Sequence, residues 1–331
     1  MKNDPLRRGD VVEVRRADQI LATLDGGGAL DALPFMPEML QFCGQRFVVT
    51  SRADKVCTVL WGPMESRQLA GTVLLENLRC DGASHGGCES NCRLFWKEAW
   101  LRPVRADDPA DNQPEDLGTR QRLAELAAHN TQKESGEPAE ESKACFRCQA
   151  SELCAASTPL RTTDPRPYLR EFTSKDVPLR RFVRVMARAV RWHVLHKLGV
   201  SSHLYLRGTG PSSPPSEPLH LQPGDWVKVK SREEIAATLT DKSTNRGLFF
   251  DMQMLNYSGK VFRVEKRVTR IISPDSGRLI HMTRDCVILE NVACSGDYSL
   301  SRWFCPRADQ PFWRECWLER AATPLSEMSG S

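Results

Sequence analysis

The sequence predicts a mainly β (α+β) protein, with two duplicated small antiparallel β-barrel modules and a helical, cysteine-bearing segment in the middle. Three observations carry that expectation. The first is an internal repeat. Arg8-Gly-Asp-Val-Val-Glu-Val14 returns as Pro223-Gly-Asp-Trp-Val-Lys-Val229, and the register then holds at a spacing of 215 positions. Ile20, Thr23 and Leu24 recur as Ile235, Thr238 and Leu239, and Leu33, Phe35, Met39 and Phe42 recur as Leu248, Phe250, Met254 and Tyr257. The second is period-two alternation between turn residues, the mark of half-buried strands. The third is the stretch between the copies, where composition changes abruptly. So many matches in one register imply one ancestral module, copied.

Each copy opens on an alternating run, Asp10-Val-Val-Glu-Val-Arg15 or Asp225-Trp-Val-Lys-Val-Lys230, which reads as a strand. A short helix follows. Ser231-Arg-Glu-Glu234 forms a capping box, in which the serine and glutamate side chains each satisfy an amide at the helix start. The first copy has Arg16 and Gln19 there, so its helix start lacks the cap. A loop holding Gly26-Gly-Gly28 or Asn245-Arg-Gly247 leads to the phenylalanine-rich segment. Gly44-Gln-Arg-Phe-Val-Val49 and Gly259-Lys-Val-Phe-Arg-Val264 then begin the next strand. Pro274-Asp-Ser-Gly277 favours a tight turn. Val73-Leu-Leu-Glu76 and Cys286-Val-Ile-Leu-Glu290 read as a further matched pair of strands, and Leu75-Glu-Asn77 matches Leu289-Glu-Asn291. Phe95-Trp96, Glu98 and Trp100 match Phe312-Trp313, Glu315 and Trp317 near the end of each copy. Short strands joined by turns predict a strongly bent antiparallel sheet or small barrel.

The boundaries follow from composition. Residues 1–105 form the first β-barrel module, and 106–144 an acidic linker whose dense charge and low apolar content predict disorder. Residues 145–207 form the helical, cysteine-bearing segment. In it, Phe182, Val185, Met186, Ala189, Val190, Val194 and Leu195 supply an apolar helical stripe. Residues 208–220 are a Pro/Ser linker, 221–320 the second module and 321–331 a disordered tail.

The opening Gly-Asp-x-Val-x-Val and the later Gly-x-x-Phe-x-Val resemble Src-homology-3-like small β-barrels, including those of ribosomal and transcription proteins. The chain as a whole resembles uncharacterised bacterial cysteine-rich proteins with two such duplicated modules. The stretches that carry the likeness are Leu33-Pro-Phe-Met-Pro-Glu-Met39, His85-Gly-Gly-Cys88, Phe95-Trp-Lys-Glu-Ala-Trp100 and Cys148-Gln-Ala-Ser-Glu-Leu153. That resemblance implies layout and not chemistry.

The chain has 331 residues and a formal net charge of +4, so bulk electrostatics neither demand nor exclude a nucleic-acid partner. Met1-Lys-Asn-Asp-Pro5 lacks the apolar stretch of a secretory signal, and no segment approaches the roughly 20 apolar residues of a membrane span. A cytoplasmic protein without a membrane partner is therefore expected. In a reducing compartment its 12 cysteines read as metal ligands, reactive thiols or buried small residues.

The strongest chemical candidate is Cys80-x7-Cys88-x3-Cys92, with His85 inside it. Gly82, Gly86 and Gly87 give that loop the backbone freedom to turn several side chains toward one centre. Three thiolates can fill three positions of a tetrahedral site. Cys148, from Cys145-x2-Cys148, is the preferred fourth, because that pair restarts ordered sequence directly after the linker. Zinc and an iron–sulfur cluster both accept four thiolates, with zinc ahead on ligand type. A metal on Cys80, Cys88, Cys92 and Cys148 would clamp the middle segment to the first module.

The second copy keeps Cys294 opposite Cys80, but its loop has become Ser295-Gly-Asp-Tyr-Ser-Leu-Ser-Arg-Trp-Phe-Cys305, with no histidine opposite His85. No independent second site is expected, although Cys294 and Cys305 could instead face the first cluster. The Trp96/Trp100 and Trp313/Trp317 stripes, at helix-like spacing, read as core packing. Arg180, Arg181, Arg184, Arg188, Arg191 and Lys197 form a basic helix that reads as a solvated or internally paired face.

No phosphate-binding glycine loop, Gly-x-Ser-x-Gly elbow or His-Glu-x-x-His pair is present. The leading expectation is therefore an intracellular metal-binding protein with a scaffold or protein-partner role. The alternatives are a metalloenzyme on the same cysteines, with His85 or Glu98 moving protons, and a nucleic-acid-associated barrel protein.

Overall fold

A computed structural model describes residues 4–58, 66–105, 108, 116–131, 144–160, 164, 166–173, 177–199, 206–211, 217–298 and 303–323. Most of the expected 106–144 linker, part of the Pro/Ser linker and most of the tail lie outside the described residues. The chain divides into two compact units. Unit 1 comprises Met1–Arg184, Arg270–His281 and Ser301–Ala308; unit 2 comprises Val185–Thr269, Met282–Leu300 and Asp309–Ser331.

Unit 1 is built on a five-stranded antiparallel sheet. Its strands are β1 (Val11–Val14), β2 (Arg46–Arg52), β5 (Thr72–Arg79), β6 (Arg93–Lys97) and β7 (Leu101–Pro103), in the order β6-β5-β2-β1-β7. The alternating run places Val12 and Val14 in the core, at 0% and 1% exposure. A smaller sheet joins β3 (Val56–Cys57) and β4 (Ser66–Gln68) to β8 (Thr158–Pro159), which comes from the cysteine-bearing middle of the chain.

Unit 2 carries most of a second five-stranded sheet. Its strands are β9 (Trp226–Val229), β10 (Val261–Ile272), β11 (Leu279–Leu289), β12 (Trp313–Arg314) and β13 (Leu318–Arg320). Their order, β12-β11-β10-β9-β13, repeats that of the first sheet strand for strand. The pairing register repeats as well. Val12 faces Phe47 and Glu13 faces Arg46; Val227 faces Phe262 and Lys228 faces Val261.

The cores match down to individual rings. Phe35 meets Trp100 edge-on at 5.4 Å between centroids, and Phe250 meets Trp317 at 5.1 Å. Phe35 and Trp96 lie 6.5 Å apart, Phe250 and Trp313 6.4 Å. All four tryptophans are fully buried. The helix-like spacing in the sequence has another cause: Trp96 lies on β6, and a single 3-10 turn, Glu98–Trp100, brings Trp100 back onto the same core. Edge-to-face geometry aims each ring's positive rim at its neighbour's negative face.

The short helix after the first strand of each five-stranded sheet differs as its caps predict. α1 (Ala17–Leu21) begins at Arg16 with no side-chain cap, whereas α5 (Arg232–Ala237) has the full Ser231/Glu234 capping box. α2 (Leu117–His129) forms inside the segment expected to be a disordered linker. Its start is capped by Asp116, which accepts from the amides of Gly118 and Thr119. Leu123 and Ala127 are buried, so two apolar contacts and one cap offset the low local hydrophobicity. α3 (Arg166–Thr173) and α4 (Leu179–Lys197) are the other α-helices among the described residues. On α4 the buried positions are Val185 and Ala189, while Val190 is 60% and Val194 50% exposed, so the buried stripe is narrower than expected.

The Glu98 and Glu315 carboxylates serve structure. Glu98 Oε1 accepts from the Leu6 amide at 3.0 Å and from Arg52. Glu315 accepts from the amides of Leu219, His220 and Leu221 at 2.6, 3.1 and 2.8 Å. Leu6 and Leu221 stand 215 positions apart, the spacing of the other matched residues, so one carboxylate ties down the chain entering each sheet.

A controlled comparison tests the indole bonds. Trp100 Nε1 donates to Thr23 Oγ1 and Trp317 Nε1 to Thr238 Oγ1, each at 3.0 Å. Trp96 Nε1 and Trp313 Nε1 are buried without a hydrogen-bond partner. Trp100→Phe and Trp96→Phe remove the same volume, but only the first loses a bond. The expected result is that Trp100→Phe destabilises by about 1–2 kcal/mol more than Trp96→Phe in urea unfolding. Equal costs would show that the indole bond contributes nothing.

Candidate metal centre

The chain that brings donors together starts at the end of β5. Cys80 closes back on the strand through its amide, which donates to the Cys92 carbonyl at 2.8 Å. Between them the loop folds tightly: the amides of His85 and Gly87 both donate to the Gly82 carbonyl, at 3.1 and 3.0 Å. Gly82 and Gly86 have φ of +73° and +70°, and neither has room for a side chain. A Cβ on Gly82 would lie 1.8 Å from the Cys88 carbonyl oxygen, and one on Gly86 2.7 Å from the Phe146 ring. Glycine is thus required by space as well as by backbone angle.

This fold buries His85, at 1% exposure, and directs Nε2 to within 3.3 Å of Cys80 Sγ. Its Nδ1 lies 2.9 Å from Ser84 Oγ, which donates to Glu38 Oε2 at 2.9 Å. Glu38, Cys80 and His85 each offer a donor atom within 4.8 Å of the other two, and they are the one such group of three among the described residues. Glu38 comes from the 3-10 helix Pro37–Phe42, seated by the burial of Phe35, Met36 and Met39 just beside it.

The electrostatics of this group are unbalanced. Glu38 is 9% exposed and its Oε1 is buried with no hydrogen-bond partner. Burial pushes the Cys80 thiol well above its ordinary range, helped by the Glu38 carboxylate and by nearby Cys92. Burial also pulls the His85 imidazole below its usual value, against the opposing pull of Glu38 and Asp81. A neutral imidazole, a thiol and a carboxylate therefore share one desolvated space. Each can offer an electron pair, and a cation would offset the burial penalty on the Cys80 thiolate.

The expected four-cysteine set contains two pairs of neighbours. Cys80 and Cys92 are neighbours through the backbone bond and through charge. Cys88 and Cys148 form a second neighbourhood, each 7% exposed, in which burial chiefly and Cys88 to a lesser degree push the Cys148 thiol up. Cys88 Sγ accepts from the Ile272 amide at 3.3 Å and lies 3.3 Å from Ser90 Oγ. Cys305, considered from the sequence as a contributor to the first cluster, has its sulfur on Cys57. Glu98 belongs to the Arg52 ion pair and stands outside the centre.

Sequence reasoning missed Glu38. Its repeat partner is Gln253, 7% exposed, whose Oε1 accepts from the Ser295 amide at 3.1 Å. Both sheets thus hold a polar side chain at matching positions, an acid beside the loop with the histidine and an amide beside the loop without one. Aligning position 38 with position 253 was the available signal.

Middle residues reach this part of the first sheet through Gln149, which is 5% exposed. Its Oε1 accepts from the Phe95 amide at 2.8 Å, and its Nε2 donates to the carbonyls of Phe95 and Pro34 at 2.9 and 3.1 Å. That fastening needs no metal.

No protein-family model matches the chain, and neither curated proteins nor solved structures give a match. No helix among the described residues is long and apolar enough to cross a membrane.

The glycines supply a test of the loop. Gly87 has φ of +67° but its nearest neighbour to an added Cβ is 3.6 Å away. Gly87→Ala is expected to cost about 1–2 kcal/mol from backbone angle alone. Gly82→Ala carries the same angular cost plus a collision with backbone, so it should destabilise more and expose Cys88 to alkylation. Measured unfolding midpoints and Cys88 alkylation rates that rank the two equally would refute this account.

Proposed function

We propose that this chain is a metal-binding protein whose centre is Glu38, Cys80 and His85, with zinc as the preferred ion. One observation carries the reading: three donors converge in a buried space where Glu38 Oε1 has no hydrogen-bond partner, while the repeat has a neutral Gln253 at that place. A mixed oxygen, sulfur and nitrogen set favours zinc over an iron–sulfur cluster, which takes thiolates. Cys92, whose charge acts on Cys80, would complete a tetrahedral structural site. The ion would hold the glycine-rich loop closed, in a protein whose role is assembly or partner binding.

A second reading keeps the original set, Cys80, Cys88, Cys92 and Cys148, as ligands of an iron–sulfur cluster. It is favoured by the closeness of Cys80 to Cys92 and of Cys88 to Cys148. A metalloenzyme on the same residues has less support, because His85 at 1% exposure has no solvent face for a substrate. The nucleic-acid reading is weakened by Arg188, which stacks on Tyr298 at 4.1 Å, and by Arg181, which faces the Phe304 ring at 5.9 Å. The matching strand order and ring geometry of the two sheets support a duplicated small-barrel ancestry.

Elemental analysis and cobalt(II) substitution of the full chain separate the two metal readings. One equivalent of zinc is expected. Cys80→Ser and Glu38→Gln should weaken binding at least tenfold, Glu38→Gln reproducing the residue of the second copy, while Cys88→Ser keeps the metal. Loss of metal in Cys88→Ser together with full retention in Glu38→Gln would transfer the assignment to the four cysteines. Absence of any metal-dependent signal would end both readings.

A further inference from the structure

Cys57 and Cys305 lie 248 positions apart, and nothing in the sequence pairs them. Within unit 1, however, their sulfurs are 3.3 Å apart, and the Cys57 amide also donates to Cys305 Sγ at 3.3 Å. We infer that Cys57 and Cys305 are a redox site that closes into a disulfide on reaction with a small-molecule disulfide such as oxidised glutathione.

The geometry is held in place by groups that have no part in the reaction. Cys57 ends β3, where it pairs with Ser66 on β4. The segment bearing Cys305 is fastened to the first sheet by arginines. Arg79 donates to the Ala308 carbonyl at 3.2 Å, Arg93 to the Pro306 carbonyl at 3.5 Å, and Arg307 to the Cys57 carbonyl at 3.0 Å. Phe304 stacks on Phe182 at 5.5 Å between centroids, and Trp303 meets Tyr168 at 5.7 Å. A disulfide needs sulfurs about 2.05 Å apart, so closure asks the two sulfurs, now 3.3 Å apart, to approach by a little over 1 Å. Preorganisation of this kind raises the effective concentration of one thiol at the other.

The two thiols differ in access. Cys305 is 6% exposed, whereas Cys57 is partly exposed. Cys57 is therefore the residue that meets the oxidant. Its thiolate attacks one sulfur of oxidised glutathione, forming a mixed disulfide and releasing a glutathione thiolate that takes up one proton. Cys305 then loses its proton and attacks the Cys57 sulfur, expelling the second glutathione as a thiol. Two protein thiols are oxidised, one small disulfide is reduced, and both protons end on glutathione. The amide hydrogen bond to Cys305 Sγ favours its thiolate in the second step.

The test uses the full chain equilibrated with glutathione at increasing oxidised fraction, acid-quenched, alkylated and digested with trypsin without reduction. Mass spectrometry should show the peptide spanning residues 56–67 joined to that spanning 303–307, at an oxidised fraction where Cys88 and Cys148 are still alkylated. In Cys305→Ser the glutathione adduct on Cys57 should accumulate, because its resolving thiol is gone. In the unmodified sequence the oxidised form should also melt several degrees higher than the reduced form, since the bond closes a very long loop. The inference is overturned if both thiols remain alkylatable in fully oxidised glutathione, or if Cys57 links to another cysteine instead. The mapping on the unmodified chain decides this even where a variant fails to fold.

Discussion

Burial of two tryptophans against one phenylalanine, repeated in each sheet, is the constraint on which the rest of the structure depends. Fully burying one such ring contributes about 1.5–3 kcal/mol relative to exposure. Trp96 and Trp100 reach Phe35 from a strand and from the 3-10 turn that follows it. Phe35 in turn anchors the chain three residues before Glu38. Ring packing in the core thus sets the height and direction of a carboxylate under the loop that follows β5. The same rings in the second sheet set Gln253 in the equivalent place.

What differs between the copies is charge and loop, and the two differ together. A glycine-rich loop can turn tightly enough to bury a histidine, because two of its positions have neither the backbone angle nor the space for a side chain. Glu38 lies beside His85 and Cys80 in that interior. The position 215 residues on holds an amide, Gln253, whose oxygen is satisfied by one backbone N–H.

Cysteine serves more than one end in this chain. Cys80 belongs to a mixed donor group, Cys88 and Cys148 to a buried sulfur neighbourhood, and Cys57 and Cys305 to a contact between distant segments. Gln149 fastens the middle segment to the first sheet by satisfying both backbone groups of Phe95 in the interior. A buried amide with complete hydrogen bonding is as specific a fastening as an ion, and it requires no thiolate.

The strands at Val11–Val14, Arg46–Arg52 and Thr72–Arg79 with their counterparts, the two short helices with their unequal caps, and the burial of the tryptophans were legible in the residues. Each depends on periodicity or on groups three or four positions apart, which act along the chain. The capped helix α2 was less legible, because two buried contacts outweighed a composition that favours disorder. Cys80 and His85 could be nominated from their loop. Glu38 beside them could not, and neither could the meeting of Cys57 with Cys305. Those contacts join segments more than 40 and more than 200 residues apart. Local pattern determined which elements form; which donors share a space was decided only when the packed rings and the closed loop brought remote backbone together.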